Sequence, residues 1–323
     1  MKGLKYMMML ALVCVLASCV KEVEFSGEES DPRLVVNGIE QVGQPARLQV
    51  EKSLFFMDTE KDCRVKDVEV DLFVNGVFKE SLQVRDSLIV EKYIDWNGGN
   101  EVEMERLEYA FNYCEGQYLL CAGDRLRFEV RSSEFDMAIA EVTLPQAPQV
   151  MGFDVVNVVV DTISYDENVI WFELKLDDPR GPNYYNLDPR EGLSGFTSTD
   201  PVFSDLMGLE VENLIGESSE YYGYGPYNIF SDTYFEGKVY TVSLKKSIWS
   251  WDGEPFVLEV SCVDENLYRY QTTYDAYVAS DPESILGMFT EPVQVYSNIQ
   301  NGLGVVAAQS QPIVFEIDLS PDY

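Results

Sequence analysis

The sequence predicts a mainly β protein. Short segments in which apolar residues alternate or run together recur along nearly the whole chain, and turn residues such as Asn75-Gly76 and Gly123-Asp124 separate them. Between Asp264 and Ala279 the apolar period lengthens to that of a helix. These patterns predict an N-terminal immunoglobulin-like β-sandwich over residues 33–146 and a second β-rich domain with one amphipathic helix over residues 147–323.

In chain order, the first element is a leader. Lys2 and Lys5 precede an apolar run, Tyr6 to Leu16, that ends in small residues and is too short to span a bilayer. Residues 1–18 therefore read as a signal peptide. The string Leu16-Ala17-Ser18-Cys19 resembles the lipobox of bacterial lipoproteins, which makes Cys19 the expected lipidation site. An ordinary secretory leader followed by a chance cysteine is the other reading. Residues 19–32 form a charged tether. Its Lys21-Glu22 pair resembles a surface-export signal of Bacteroidota lipoproteins, with a plain solvated spacer as the alternative. Acyl chains on Cys19 would anchor the protein to a membrane without a spanning helix.

Strands are expected at Arg33 to Asn37, Ala46 to Ser53, Val65 to Val74, Ser87 to Ile94, Glu101 to Tyr109, Gln117 to Leu120, Arg125 to Arg131 and Ala138 to Leu144. Pro145-Gln146-Ala147-Pro148 reads as a boundary, since prolines cannot continue a central strand. Val155 to Ile163, Val169 to Leu176, Gly237 to Leu244, Pro255 to Val263 and Ile313 to Leu319 are the clearest later strands. In the helix, Leu267, Tyr270, Tyr274 and Tyr277 share a face behind an Asp264 cap, and that face is expected to pack on a sheet.

The composition excludes several functions. With 23 basic and 56 acidic side chains and a formal charge of −33, the surface repels nucleic acid. Abundant aromatics, 20 Tyr and 17 Phe, distinguish the chain from a disordered acidic tail. The chain has no histidine, which removes Ser-His-Asp and Cys-His hydrolases and the common zinc hydrolases. Beyond the leader and anchor, Cys63, Cys114, Cys121 and Cys262 remain. Cys114 and Cys121 are candidates for a disulfide in an exported protein, but their spacing equally allows free thiols. The chain contains no zinc-type Cys-x-x-Cys spacing.

Other candidates are weaker. Asp95 to Asn100 departs from a calcium loop, with Arg106 where a bidentate glutamate is needed, and reads as a hairpin turn. Calcium near Asp177, Asp178 and Asp188 stays open. Paired acids such as Asp177-Asp178 invite a glycan-hydrolase reading, but in so acidic a chain such pairs arise by chance. Tyr221, Tyr222, Tyr224 and Tyr227 lie on a glycine-proline loop whose flat rings and polar tips suit peptide, glycan or protein contacts. Packing against the second sheet is the plainer reading of these tyrosines.

Several strings resemble a Bacteroidota lipoprotein family known as domain of unknown function 4249. They are Cys19 to Glu24 with Asp31 to Gly38, Gly123-Asp124, Asn183-Tyr184-Tyr185, Ile229 to Asp232 with Phe235 to Lys238, and Glu291 to Ile299 with Gly302-Leu303-Gly304. In order they cover nearly the whole mature chain. The resemblance implies an outer-membrane lipoprotein, lipid-anchored and facing the cell exterior, of a kind often found beside TonB-dependent transporters. It offers no established activity and no catalytic residues to carry over. The expected function is a non-enzymatic accessory or ligand-binding partner of such a transporter, without a required cofactor. A carboxylate-based glycan hydrolase and a structural or adhesive surface-coat module are the alternatives.

Overall fold

A computed structural model describes residues 31–55, 62–97, 100–159, 169–190, 196–198, 200–203, 213–215, 228–247, 255–279 and 293–318. The first half of the chain forms β1 (Leu34–Gln41), β2 (Pro45–Lys52), β3 (Glu69–Val74), β4 (Val77–Ser81), β5 (Gln83–Asn97), β6 (Asn100–Leu119), β7 (Arg125–Arg131) and β8 (Ala138–Thr143). After β9 (Val150–Val159), β10 (Val169–Asp177) and β11 (Tyr184–Arg190) come the short strands β12 (Phe196–Ser198), β13 (Asn213–Ile215) and β14 (Ile229–Ser231). The chain then forms β15 (Val239–Ser247), β16 (Phe256–Val263), helix α1 (Glu265–Ala279), β17 (Val306–Gln309) and β18 (Ile313–Ile317). The protein is mainly β, as expected.

These strands make a nine-stranded sheet in the order β14-β11-β16-β17-β1-β2-β6-β5, with β18 branching from β16. A four-stranded sheet runs β4-β3-β7-β8, and a five-stranded sheet runs β13-β12-β15-β10-β9. Strand side chains alternate in direction, so residue parity assigns each side chain to a face. On β1, Leu34 and Val36 join Leu48 and Val50 of β2 in a core shared with Leu72 of β3 and Phe128 of β7. On β16, Phe256, Leu258 and Val260 join Phe172 of β10 and Leu244 of β15 in a second core. Register places both cores on one face of the long sheet. Gly38 pairs with Val306, and Val263 pairs with Gln309, which keeps Leu34, Val306 and Val260 on that face. The two smaller sheets thus back one face of the long sheet, and α1 lies on the other. There Leu267 packs with Val263, Val305 and Ala307.

β17 joins the two halves of the long sheet, pairing in parallel with β1 and antiparallel with β16. Its approach requires glycine. Gly304 has φ +97°, and a Cβ there would lie 2.3 Å from the Val36 carbonyl oxygen. Asn298 closes the same turn, accepting from the Val306 N–H at 3.0 Å and donating to the Val306 carbonyl at 2.7 Å.

Several sequence boundaries change. The segments Glu101 to Tyr109 and Gln117 to Leu120 belong to the single strand β6. The apparent break at Gly116 is an irregularity in the β2–β6 register. The Glu80 carboxylate there accepts the N–H groups of Gln117 and Tyr118, each at 2.9 Å. The sequence pattern marks no strand at β4, β11, β12, β13, β14 or β17. β4 exposes Val77 and Phe78 and lacks an apolar stripe, and β17 is a short Val-Ala-Ala-Gln run. The helix forms where its period predicted, with the Asp264 carboxylate accepting the Leu267 N–H at 3.1 Å. Only part of the expected face is covered, however: Leu267 is buried, while Tyr274 and Tyr277 are exposed. No helix among the described residues is long and apolar enough to cross a membrane.

Candidate functional site

A groove of about 440 Å³ opens between α1 and the face of the long sheet that carries the helix. Its floor is a cross-strand row. Asn37 of β1 pairs with Gln49 of β2, Gln49 with Tyr113 of β6, and Tyr113 with Arg85 of β5. Ile39 adds exposed apolar surface over the nearly buried Phe111 and Val305, and Tyr270 of α1 forms the opposite wall. Tyr270 stacks on Tyr274 with ring centroids 5.9 Å apart, and burial raises its hydroxyl pKa above the ordinary tyrosine value. The helix is held in place by the segment at 296–299. Tyr296 donates through its hydroxyl to Asn266 at 2.8 Å and through its N–H to Thr273 at 2.9 Å, and the Arg269 guanidinium lies 4.2 Å from the Tyr296 ring centroid.

Polar groups in the row are oriented by their neighbours. Asn37 Oδ1 accepts the Val305 N–H at 3.1 Å, and Gln49 Nε2 donates to Glu51 Oε2 at 3.1 Å. Glu51 is buried, and desolvation raises its pKa. The Arg85 guanidinium lies 4.5 Å from the Tyr113 ring centroid, a cation–π contact. One register step along, Arg47 Nε donates to Glu115 Oε1 at 3.0 Å, and Arg85 lies 3.5 Å from the other oxygen of that carboxylate. Two guanidiniums therefore share one acid at the groove.

A second cavity of about 590 Å³ lies between β7, β8 and the start of α1. Three of its charged side chains already have partners: Arg127 pairs with Glu129 and with Glu141, which also lines the cavity, and Asp264 accepts the Leu267 and Ala308 N–H groups.

The sequence candidates fare differently. Cys19 and the tyrosines Tyr221, Tyr222, Tyr224 and Tyr227 lie outside the described residues. Cys114 and Cys121 are free thiols in different surroundings: Cys114 is buried in the first core, and Cys121 is exposed in the β6–β7 turn. Burial pushes the Cys114 thiol up to about 12. Asp178 accepts the Tyr185 hydroxyl and the Gly237 N–H at 2.7 Å, so it serves the second core. Asp177 and Asp188 are exposed strand residues. Among the described residues no group of three or more acidic or cysteine side chains is placed to hold a metal. Asp95 to Asn97 pair with Asn100 to Val102 in the β5–β6 hairpin.

The recurring family strings have structural roles. Asp232 accepts the Asn183 N–H at 2.8 Å and its side-chain amide at 3.1 Å, Phe230 and Phe235 fill the second core, and Asn298 and Gly304 fix β17. Asn37, Gln49, Tyr113 and Tyr270, which line the groove, and Arg85 beside it carry no shared sequence signal, because only strand register and the placement of α1 bring them together.

A family model described as Domain of unknown function (DUF4249) matches residues 20–312. No curated protein matches the chain.

Proposed function

Because the chain belongs to the family described as Domain of unknown function (DUF4249), whose description carries no activity, we propose from its own residues that it is a non-enzymatic binding lipoprotein. In this reading it is anchored through Cys19 to the outer membrane, faces the cell exterior and serves a TonB-dependent transporter as an accessory that holds or passes on ligand. The observation that carries the reading is the groove, where aromatic rings, two oriented amides and Arg47 line the floor of a sheet, with Arg85 next to Tyr113 beside them. The leader string Leu16 to Cys19 and the acidic tether support the anchoring.

The packing of β1 and β2 against β3, β7 and β8 supports an immunoglobulin-like sandwich as the N-terminal scaffold. Hydrolysis is not favoured at the groove. Glu115 lies opposite Arg47, four residues along β2 from Glu51. Their backbones stand roughly 13 Å apart along the strand, and each carboxylate is taken up by a neighbour, Glu115 by Arg47 and Arg85 and Glu51 by Gln49, which does not favour the paired action a glycan hydrolase needs.

The test is a mild-detergent pull-down of the tagged full-length protein from its own outer membrane, with partners identified by mass spectrometry. Stoichiometric recovery of a TonB-dependent transporter is expected. Recovery of the protein alone, or with surface-coat components, would replace the accessory role with an independent or adhesive one. Cys19→Ser should abolish metabolic labelling by palmitate.

A further inference from the structure

We infer that the groove binds the C-terminal end of a short peptide whose last side chain is apolar, with its carboxylate held by Arg47 and Arg85. The inference rests on the reading of the groove as the ligand contact and is independent of the transporter partnership.

Three features carry it. The first is charge. In a chain of formal charge −33, Arg47 and Arg85 converge on the single carboxylate of Glu115, two guanidiniums to one acid at that end of the groove, while the other acid, Glu51, lies four residues along β2 from Arg47. Their side chains are 48% and 66% exposed, so both guanidiniums remain open to an incoming anion. Paired guanidiniums match a carboxylate in both charge and hydrogen-bond geometry.

The second is the orientation of the amides. The Val305 N–H occupies Asn37 Oδ1, so the Asn37 NH2 is presented as a donor. Glu51 accepts from Gln49 Nε2, so Gln49 Oε1 is presented as an acceptor. The two residues face each other across β1 and β2. A donor beside an acceptor matches the C=O and N–H of one peptide group.

The third is the apolar wall. Ile39 is 55% exposed for a large aliphatic residue and, with the half-buried Tyr270, flanks the row, while Phe111 and Val305 are nearly buried beneath. An apolar terminal side chain gains from this surface. A uronic acid sugar would share the carboxylate, but its hydroxyls would leave most of the wall without matching partners. From Asn37 to Arg85 the row crosses three strand spacings, about 14 Å, which about four extended residues span.

The experiment titrates the full-length protein calorimetrically with defined N-acetylated tripeptides ending in Leu, Phe or Val, with the same peptides as C-terminal amides, and with trigalacturonate. At least one acid peptide should bind, and its amide about ten-fold or more weaker, the usual scale of a lost charge-assisted pair. The double variant Arg47→Gln, Arg85→Gln should lose the same factor for the acid and little for the amide. Arg127→Gln, which makes the same kind of charge change elsewhere, should bind as the parent does, and unchanged melting temperatures would show that the variants fold. Equal affinity for acid and amide, binding of trigalacturonate in place of the peptides, or binding of none of them overturns the inference. If the pull-down recovers the transporter while the peptides fail, the groove inference alone falls.

Discussion

Glu40 provides a direct test of the buried chemistry. It lies on the core face of β1 with 1% exposure, and its carboxylate accepts the Arg47 N–H at 3.2 Å. Desolvation is the main cause that raises its pKa from 4.5 to about 8. A carboxyl group whose folded pKa is raised contributes stability that is fully present below its unfolded value. That contribution is lost as pH rises and is gone above the folded value. At 1.36 kcal/mol per unit, the full span amounts to about 5 kcal/mol, of which about 3 kcal/mol is already lost at pH 7. Glu40→Gln keeps an acceptor for Arg47 and cannot ionise. Urea unfolding followed by tryptophan fluorescence at pH 5, 7 and 9 should therefore show the variant gaining on the parent as pH rises, by several kcal/mol at pH 9. Glu51, Asp232, Asp264 and Asp275 are also raised by burial and tilt both proteins in the same direction, so the difference between them isolates Glu40. A constant difference across this range, or a variant less stable than the parent at pH 9, would refute the reasoning.

Three further outcomes follow from the geometry. Asp264→Ala removes the α1 cap and the acceptor of the Ala308 N–H, so stability should fall by about 2–4 kcal/mol, with faster amide exchange in the first turn of α1. Cys121 should react with a thiol reagent in the folded protein, whereas Cys114, buried and pushed up to about 12, should react only on unfolding, and Cys262, partly buried and also pushed up to about 12, should react more slowly than Cys121; prompt labelling of Cys114 would contradict its packing. Gly304→Ala forces a Cβ against the Val36 carbonyl at positive φ, and its melting temperature should fall more than that of Gly43→Ala, which also has positive φ but meets nothing within 4 Å.

Much of the fold was legible locally. Alternation along β7 and β10 writes a half-buried strand directly into residue order, and the stretch after Asp264 carries both a helical period and its cap. Other strands were hidden because their pattern is not local. β17 is short and shows no alternation of apolar and polar residues, and β6 continues through Gly116 because Glu80, far away in sequence, satisfies its backbone. The groove was less legible than the fold. Asn37, Gln49, Tyr113 and Arg85 are unremarkable separately, and the tyrosine loop that stood out in the sequence lies outside the described residues.

The sequence by itself determined the β character, the position of the helix and its cap, the acidic surface and the family, because these reside in composition, short periods and recurring strings. Tertiary structure decided the rest. Pairing of β1 with a strand near the other end of the chain created the long sheet, and register placed Asn37, Gln49, Tyr113 and Arg85 in one row. Burial also set the state of Glu40 and Cys114, because the cost of ionising a side chain depends on the atoms packed around it, which residue order alone does not specify.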